Sequence, residues 1–145
     1  MPSAAKSIIY FFFETPITLK ERTRLKKFIR QIFQKEGKTL QSLNYIFCSD
    51  KALLKVNQQY LNHDDYTDII TFQFSDKNQP VEGEIYISVE RVRENALKLH
   101  QTLKTELLRV IFHGALHLCG YKDKTPGDSK TMRVKEDFYL SKYLS

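Results

Sequence analysis

Hydrophobic residues along this chain follow two patterns, short apolar runs and stripes at helical spacing. The short runs are rich in β-branched and aromatic residues and predict strands over 7–13, 43–48, 68–74 and 83–88. The stripes predict helices over 18–36, 50–61, 89–100 and 102–118, with a last one beginning near 126–128. A short polar turn joins the last two strands, which predicts an antiparallel hairpin. The order β-α-β-α-β-β-α-α-α predicts an α+β fold, with residues 1–145 in a single domain and a mixed four-stranded sheet packed with about five helices.

Several helix ends carry residues that are typical of helix caps. Thr18, with Glu21 three positions later, forms a capping-box pattern, and Gly37 is typical of the end of the same helix. Asp50 and Thr102 precede the second and fourth helices, where a side-chain oxygen can accept a hydrogen bond from a free backbone N–H. These residues are therefore predicted N-caps.

The composition of the chain indicates a globular protein and favours an anionic partner. Of the 145 residues, 41% are hydrophobic and 28% are charged, which is typical of a globular domain with its own core. No apolar run is long enough to span a bilayer and no secretory signal pattern is present, so we expect a cytoplasmic protein without a membrane partner. Cys48 and Cys119 are then expected to be reduced, semi-buried thiols. The net charge of +6 favours an anionic partner such as nucleic acid.

The clearest chemical signal lies in the stretch 112–124, FHGALHLCGYKDK. His113 and His117 are four positions apart on a predicted helix, which places both imidazoles on one face with Cβ atoms about 5–6 Å apart. This spacing suits two ligands of one metal ion. Gly120 ends the helix, so Asp123 can approach the same ion. Two histidines and one carboxylate leave a position for water, as in a catalytic zinc site.

Two other interpretations fit the same spacing. Histidines four positions apart can be ordinary surface or core residues of a helix. A metal site could also belong to a peptidase, but in the H-E-x-x-H motif the glutamate after the first histidine is the general base. Here that residue is Gly114, which has no side chain and allows close approach of another backbone or of a substrate. The sequence therefore has the metal-binding half of such a site without its proton-transfer half.

The stretch from His113 to Tyr121 resembles the H-G-x-L-H-L-x-G-Y-D-H signature of the YbeY family of bacterial rRNA maturation factors. The segment 60–72, YLNHDDYTDIITF, is similar to the family segment Y-R-x-K-D-x-P-T-D-V-L-S-F. The positions in register are Tyr60, Asp64, Thr67, Asp68 and Phe72. The segment 83–88, GEIYIS, is similar to the family strand G-D-I-x-I-S, so the resemblance covers nearly the whole chain.

Two positions depart from the family pattern. The family's third metal ligand is a histidine, and the corresponding residue here is Asp123. Aspartate is an acceptable zinc ligand, but its negative charge should make the metal a somewhat weaker Lewis acid. The family arginine in the Y-R segment aligns with Leu61, so a positive charge near the phosphate has to come from elsewhere. The candidates for substrate binding are His63, Lys122, Lys124 and Arg91.

The resemblance implies a single-strand-specific, metal-dependent endoribonuclease that acts in rRNA processing. Its expected roles are late maturation of the 16S rRNA 3′ end and ribosome quality control, with the small ribosomal subunit as partner and no DNA substrate. It implies one Zn²⁺ held by His113, His117 and Asp123, which would also be the catalytic residues. The ion would polarise a phosphoryl oxygen or activate a water molecule. Asp68 and Glu84 are candidates to orient the imidazoles, although strand-end carboxylates often serve as ordinary hydrogen-bond partners.

Two further functions stay open from the sequence. The first is a non-catalytic ribosome-associated factor with a structural zinc, which Leu61 in place of the arginine favours. The second is a metallohydrolase of another substrate class, such as a peptidase, which Gly114 disfavours.

Overall fold

The computed structural model of the protein describes residues 7–63 and 66–145. Within those residues the chain forms four strands and five helices. The strands are β1 (Ile8–Phe13), β2 (Leu40–Cys48), β3 (Ile69–Gln73) and β4 (Val81–Ser88). The helices are α1 (Arg22–Lys35), α2 (Asp50–Leu61), α3 (Val89–Lys98), α4 (Leu103–Leu118) and α5 (Pro126–Leu144). The predicted α+β class and order of elements are confirmed.

The strands form one mixed sheet in the order β1-β2-β4-β3. β1, β2 and β4 are parallel, and β3 pairs antiparallel with β4, which confirms the predicted hairpin. Parallel neighbours cannot be joined by a tight turn, so α1 connects β1 to β2 and α2 follows β2 before the hairpin. The edge strand β3 packs against α4, and this contact brings Thr67, just before β3, close to the histidines of α4.

Side chains alternate between the two faces of the sheet, and each face has its own core. On one face, Tyr45 of β2 and Ile85 of β4 are fully buried with Ile111 of α4. On the other face, Ile70 of β3 packs with Leu53 of α2 in a smaller cluster. Each of the isoleucine and leucine side chains contributes about 1.5–3 kcal/mol on burial. Tyr45 also donates a hydrogen bond of 2.9 Å to the carbonyl of Ile111, so α4 is fixed in position against the sheet.

Helix starts agree with the capping predictions in one case out of three. Thr102 is the N-cap of α4 and accepts a hydrogen bond from the backbone N–H of Thr105, as predicted. The prediction of Thr18 is wrong, because α1 begins at Arg22 and its N-cap is Glu21, in the left-handed conformation and without a side-chain cap. Asp50 is the first residue of α2 instead of its cap.

The N-cap of α2 is Ser49, whose side chain accepts from the backbone N–H of Ala52.

Both cysteines, Cys48 and Cys119, are buried free thiols. Burial raises the pKa of each thiol to about 12. None of the helices in the described part of the chain combines the length and the apolar character needed to cross a bilayer.

Candidate functional site

Helix α4 carries the two candidate histidines along the edge of its buried surface. The residues between and beside them, including Phe112, Ala115 and Leu116, are buried in the main core. His113 is half-buried and His117 is exposed. The hydrophobic stripe of α4 therefore faces the sheet, and the histidines lie where that stripe meets solvent, one helical turn apart as predicted.

The chain turns back immediately after α4. Gly120 has φ +111, a left-handed conformation that suits glycine, and its N–H donates to the carbonyl of His117. The next residue, Tyr121, donates from its hydroxyl to Glu36 at the end of α1 over 2.7 Å. Glu36 also accepts hydrogen bonds from Tyr139 and Lys135 of α5. This cluster fixes the turn that leads to Asp123.

The pKa of Glu36 reflects the competition between burial and these three donors. Burial alone would raise the pKa of Glu36. The hydrogen bonds from Tyr139, Tyr121 and Lys135 favour the charged form and together lower it below its ordinary value. The carboxylate therefore stays ionised between the end of α1 and the turn.

Five of the seven predicted site residues line one cavity, which we call the histidine cavity. It has a volume of about 640 Å³ and lies between α4 and the segment around β3. Its lining includes His113, His117, Asp123, His63 and Lys124. The lining thus contains all three predicted metal ligands and two of the four predicted substrate-binding residues.

His113 Nε2 and Asp123 Oδ2, atoms of two of the three candidate ligands, lie 3.9 Å apart. Two ligand atoms of one zinc ion in tetrahedral geometry lie about 3.4 Å apart, so this pair is close to the separation that a shared ion requires. Across residues 7–63 and 66–145, however, no group of three or more His, Cys, Asp or Glu side chains converges as a metal cluster. The donor types of the three candidate residues nevertheless suit a divalent metal.

Each histidine has a different environment. Although burial by itself would lower the pKa of His113, a hydrogen bond and the charge of Glu136 raise it. The Glu136 Oε2 atom lies 2.6 Å from His113 Nδ1. Although His117 as a whole residue is exposed, loss of water contact around its ring lowers its pKa, and the neighbouring His113 adds to this effect. Ser129 donates to Asp123 Oδ1 over 2.6 Å and leaves Oδ2 facing His113.

Glu136 was not among the predicted site residues. It lies on α5, 23 positions from His113 in sequence, and no local spacing links the two. The two carboxylates that the sequence suggested for orienting the imidazoles have other partners. Asp68 accepts from Asn95 and, because burial dominates its surroundings, has a raised pKa. Glu84 accepts from the hydroxyl of Tyr86 on the sheet.

The remaining substrate-binding candidates are outside the histidine cavity. Arg91 pairs with Asp50 at 2.8 Å, and its guanidinium lies 5.3 Å from the ring centroid of Tyr66. Lys122 is exposed and is not part of the cavity lining. Leu61, at the position of the family arginine, does line the cavity. Asp64, which the resemblance placed in register, lies outside the described residues.

Gly114 faces the sheet. A Cβ atom on Gly114 would lie 2.8 Å from Ile85 Cδ1 and 3.1 Å from Ile69 Cδ1. The close approach that the glycine permits is therefore the packing of α4 on β3 and β4. A glutamate at this position, as in the peptidase motif, would project against Ile85 and Ile69 of the sheet.

Comparisons with known proteins agree on one family. Residues 14–144 match the family model described as Endoribonuclease YbeY. The chain is 47% identical over 136 residues to a protein of Cytophaga hutchinsonii named Endoribonuclease YbeY, covering 94% of this chain and 95% of that protein. It is 46% identical over 130 residues to a protein of the same name from Flavobacterium psychrophilum, covering 90% and 92%.

Solved structures also resemble this chain, and one of them is similar along most of its length. The solution structure of TM1509 from Thermotoga maritima superposes with a TM-score of 0.61 at 32% identity, covering 92% of this chain and 86% of that one.

Proposed function

Because this chain belongs to the Endoribonuclease YbeY family, we propose that it is a hydrolase that cleaves RNA internally at the histidine cavity. The observation that carries the proposal is the presence of His113, His117 and Asp123 in the lining of one cavity. The cavity also contains a lysine and a third histidine, so it offers both metal-binding and phosphate-binding groups. The family match along residues 14–144 supports the class of reaction.

We propose that His113, His117 and Asp123 hold one divalent metal ion, with Zn²⁺ favoured by two nitrogen donors and one carboxylate. When bound, such an ion polarises a phosphoryl oxygen or lowers the pKa of a bound water molecule. The lowered pKa of His117 supports its role, because only a neutral imidazole has a lone pair to donate. Asp123 supplies the negative donor from a turn whose start is held by the Glu36 cluster.

Lys124 and Tyr66 are the residues we propose for binding the RNA strand. Both line the histidine cavity. Lys124 would take over the phosphate contact that Leu61 cannot make, since Leu61 lines the same cavity without a charge. His63 offers a further hydrogen-bond donor there. The ring of Tyr66 can stack on a base, a contact that contributes about 1–3 kcal/mol in proteins that bind single strands.

The biological substrate that we propose follows the family resemblance. It is single-stranded rRNA of the small ribosomal subunit, cut during late maturation of the 16S rRNA 3′ end and in ribosome quality control, in the cytoplasm. The net charge of +6 supports an RNA partner, because basic proteins attract the phosphate backbone. Single strands fit the proposal better than duplexes because their unstacked bases can reach aromatic side chains.

The test compares the full-length wild type with His117→Ala and with a matched control, His100→Asn. His100 is exposed, lies outside the histidine cavity and has φ +54, a conformation that asparagine tolerates. Zinc content is measured by mass spectrometry, and cleavage is measured on a single-stranded RNA and on the same sequence in a duplex. We expect His117→Ala to lose zinc and cleavage while His100→Asn retains both. Equal cleavage by wild type and His117→Ala would refute the proposal.

A further inference from the structure

A buried carboxylate lies directly behind one of the two histidines. Glu136 is 4% exposed, and its Oε2 atom is 2.6 Å from His113 Nδ1. The opposite ring nitrogen, Nε2, faces Asp123 Oδ2 at 3.9 Å. His113 therefore has one nitrogen directed into the protein and the other towards the proposed metal ligand.

The second oxygen of Glu136 is also occupied. Arg109, whose side chain is 15% exposed, donates from Nη1 to Glu136 Oε1 over 3.2 Å and to Asp137 Oδ1 over 3.0 Å. An ionised carboxylate can only accept hydrogen bonds, and a guanidinium can only donate them. The His113 Nδ1 atom must therefore be the donor to Oε2. In a neutral imidazole with the proton on Nδ1, Nε2 carries the free lone pair.

We propose that Glu136, oriented by Arg109, is a positioning residue that holds His113 in the Nδ1–H tautomer, so that Nε2 is available as a metal ligand. This inference rests on the proposed metal-binding function of the histidine cavity. Carboxylates in this role commonly orient a ligating histidine and strengthen its bond to the metal. The backbone of Tyr121 hydrogen bonds the other histidine, His117, so the two candidate ligands are oriented by different means.

The contact with Arg109 makes Glu136→Gln a sharp test. The glutamine side chain is nearly isosteric, but it has one oxygen and one NH₂ group. Because Arg109 requires an acceptor, the amide oxygen should face Arg109 and the NH₂ group should face His113. The His113 Nδ1 atom would then have to accept, and the proton would move to Nε2, where it blocks metal binding.

The matched control is Asp137→Asn. Asp137 is the adjacent residue on α5 and its carboxylate accepts from the same Arg109 nitrogen, but its side chain is 58% exposed, whereas Glu136 is buried against His113. Asp137→Asn therefore perturbs the arginine without changing the carboxylate behind the histidine.

The first measurement is the tautomer of His113 in metal-free, ¹⁵N-histidine-labelled full-length protein, from long-range ¹H–¹⁵N correlation spectra at a pH where the ring is neutral. We expect Nδ1–H in the wild type and in Asp137→Asn, and Nε2–H in Glu136→Gln. An Nε2–H tautomer in the wild type would overturn the proposal even if the variant fails to fold. So would an unchanged Nδ1–H tautomer in a folded Glu136→Gln protein.

The second measurement is affinity for Zn²⁺ by competition with a chromophoric chelator. We expect Glu136→Gln to bind Zn²⁺ about 10–100-fold more weakly than the wild type, and Asp137→Asn to be close to wild type. Equal affinity in Glu136→Gln and wild type would overturn the positioning role. If the wild type binds no Zn²⁺ while the tautomers change as expected, the proposed metal site fails but Glu136 still sets the tautomer of His113.

Discussion

Substitution of Gly114 by alanine tests how tightly α4 packs on the sheet. The added Cβ atom would lie 2.8 Å from Ile85 Cδ1, 3.0 Å from Ile85 Cγ2 and 3.1 Å from Ile69 Cδ1. A distance of 2.8 Å is shorter than real Cβ contacts, so either the isoleucines or the helix must move. Ile85 is fully buried, which leaves its side chain little room to adopt another rotamer.

Two opposing effects determine the magnitude. Alanine is more favourable than glycine inside a helix by about 0.8–1.0 kcal/mol. Adding a methyl group to a filled core costs about 1–3 kcal/mol. Because three atoms lie within 3.1 Å of the new Cβ, we expect the packing cost to exceed the gain in helix propensity. Gly114→Ala should therefore lower the free energy of unfolding by about 1 kcal/mol.

The assay is urea unfolding of Gly114→Ala, Ile85→Val and the double variant. Ile85→Val removes the Cδ1 atom at 2.8 Å and on its own should cost about 0.5–1.5 kcal/mol. In the double variant the new methyl group occupies part of the vacated space, so the loss should be smaller than the sum of the single losses by at least about 0.5 kcal/mol.

The matched control is Gly127→Ala, at the first turn of α5. There the nearest neighbour of a Cβ atom is Thr125 Oγ1 at 3.9 Å, an ordinary contact. This variant should be as stable as the wild type or up to about 1 kcal/mol more stable. Additive losses, or a gain in stability from Gly114→Ala, would refute the reasoning.

Three further predictions concern a helix cap, a buried acid and the thiols. Thr102→Ala should lower the free energy of unfolding by about 1 kcal/mol in urea unfolding, whereas Thr102→Ser should retain most of it, because the hydroxyl caps α4. Glu36→Gln should cost about 1–3 kcal/mol near neutral pH. Because the folded pKa of Glu36 lies below its ordinary value of 4.5, this difference should be complete above pH 4.5 and shrink as pH falls through the folded pKa. A constant difference in acid would contradict the assignment. Burial raises the pKa values of Cys48 and Cys119 to about 12. Both thiols should therefore be unreactive towards a thiol reagent at neutral pH until the protein is unfolded. Rapid labelling of the native protein would count against their burial.

Local sequence rules predicted α4 and its histidines because the information lies within a few residues. Thr102 caps the helix, the apolar stripe defines its buried face, and the four-residue spacing then places His113 and His117 on one face. The same rules misplaced the start of α1. Ile17 and Leu19 are both buried with Thr18 exposed between them, so the segment before α1 packs as extended chain. That packing prevents Thr18 from acting as a helix cap.

The sequence by itself determined the order of strands and helices, the histidine pair and the family to which the chain belongs. Only the tertiary structure decided which side chains hydrogen-bond to the site residues and to the turn beside them. The contact between Glu136 and His113 joins positions on different helices, and the one between Tyr121 and Glu36 joins positions 85 apart in sequence. Such pairs depend on how α1, α4 and α5 pack together, and packing is set by the shape of the whole core, which has no fixed spacing along the chain.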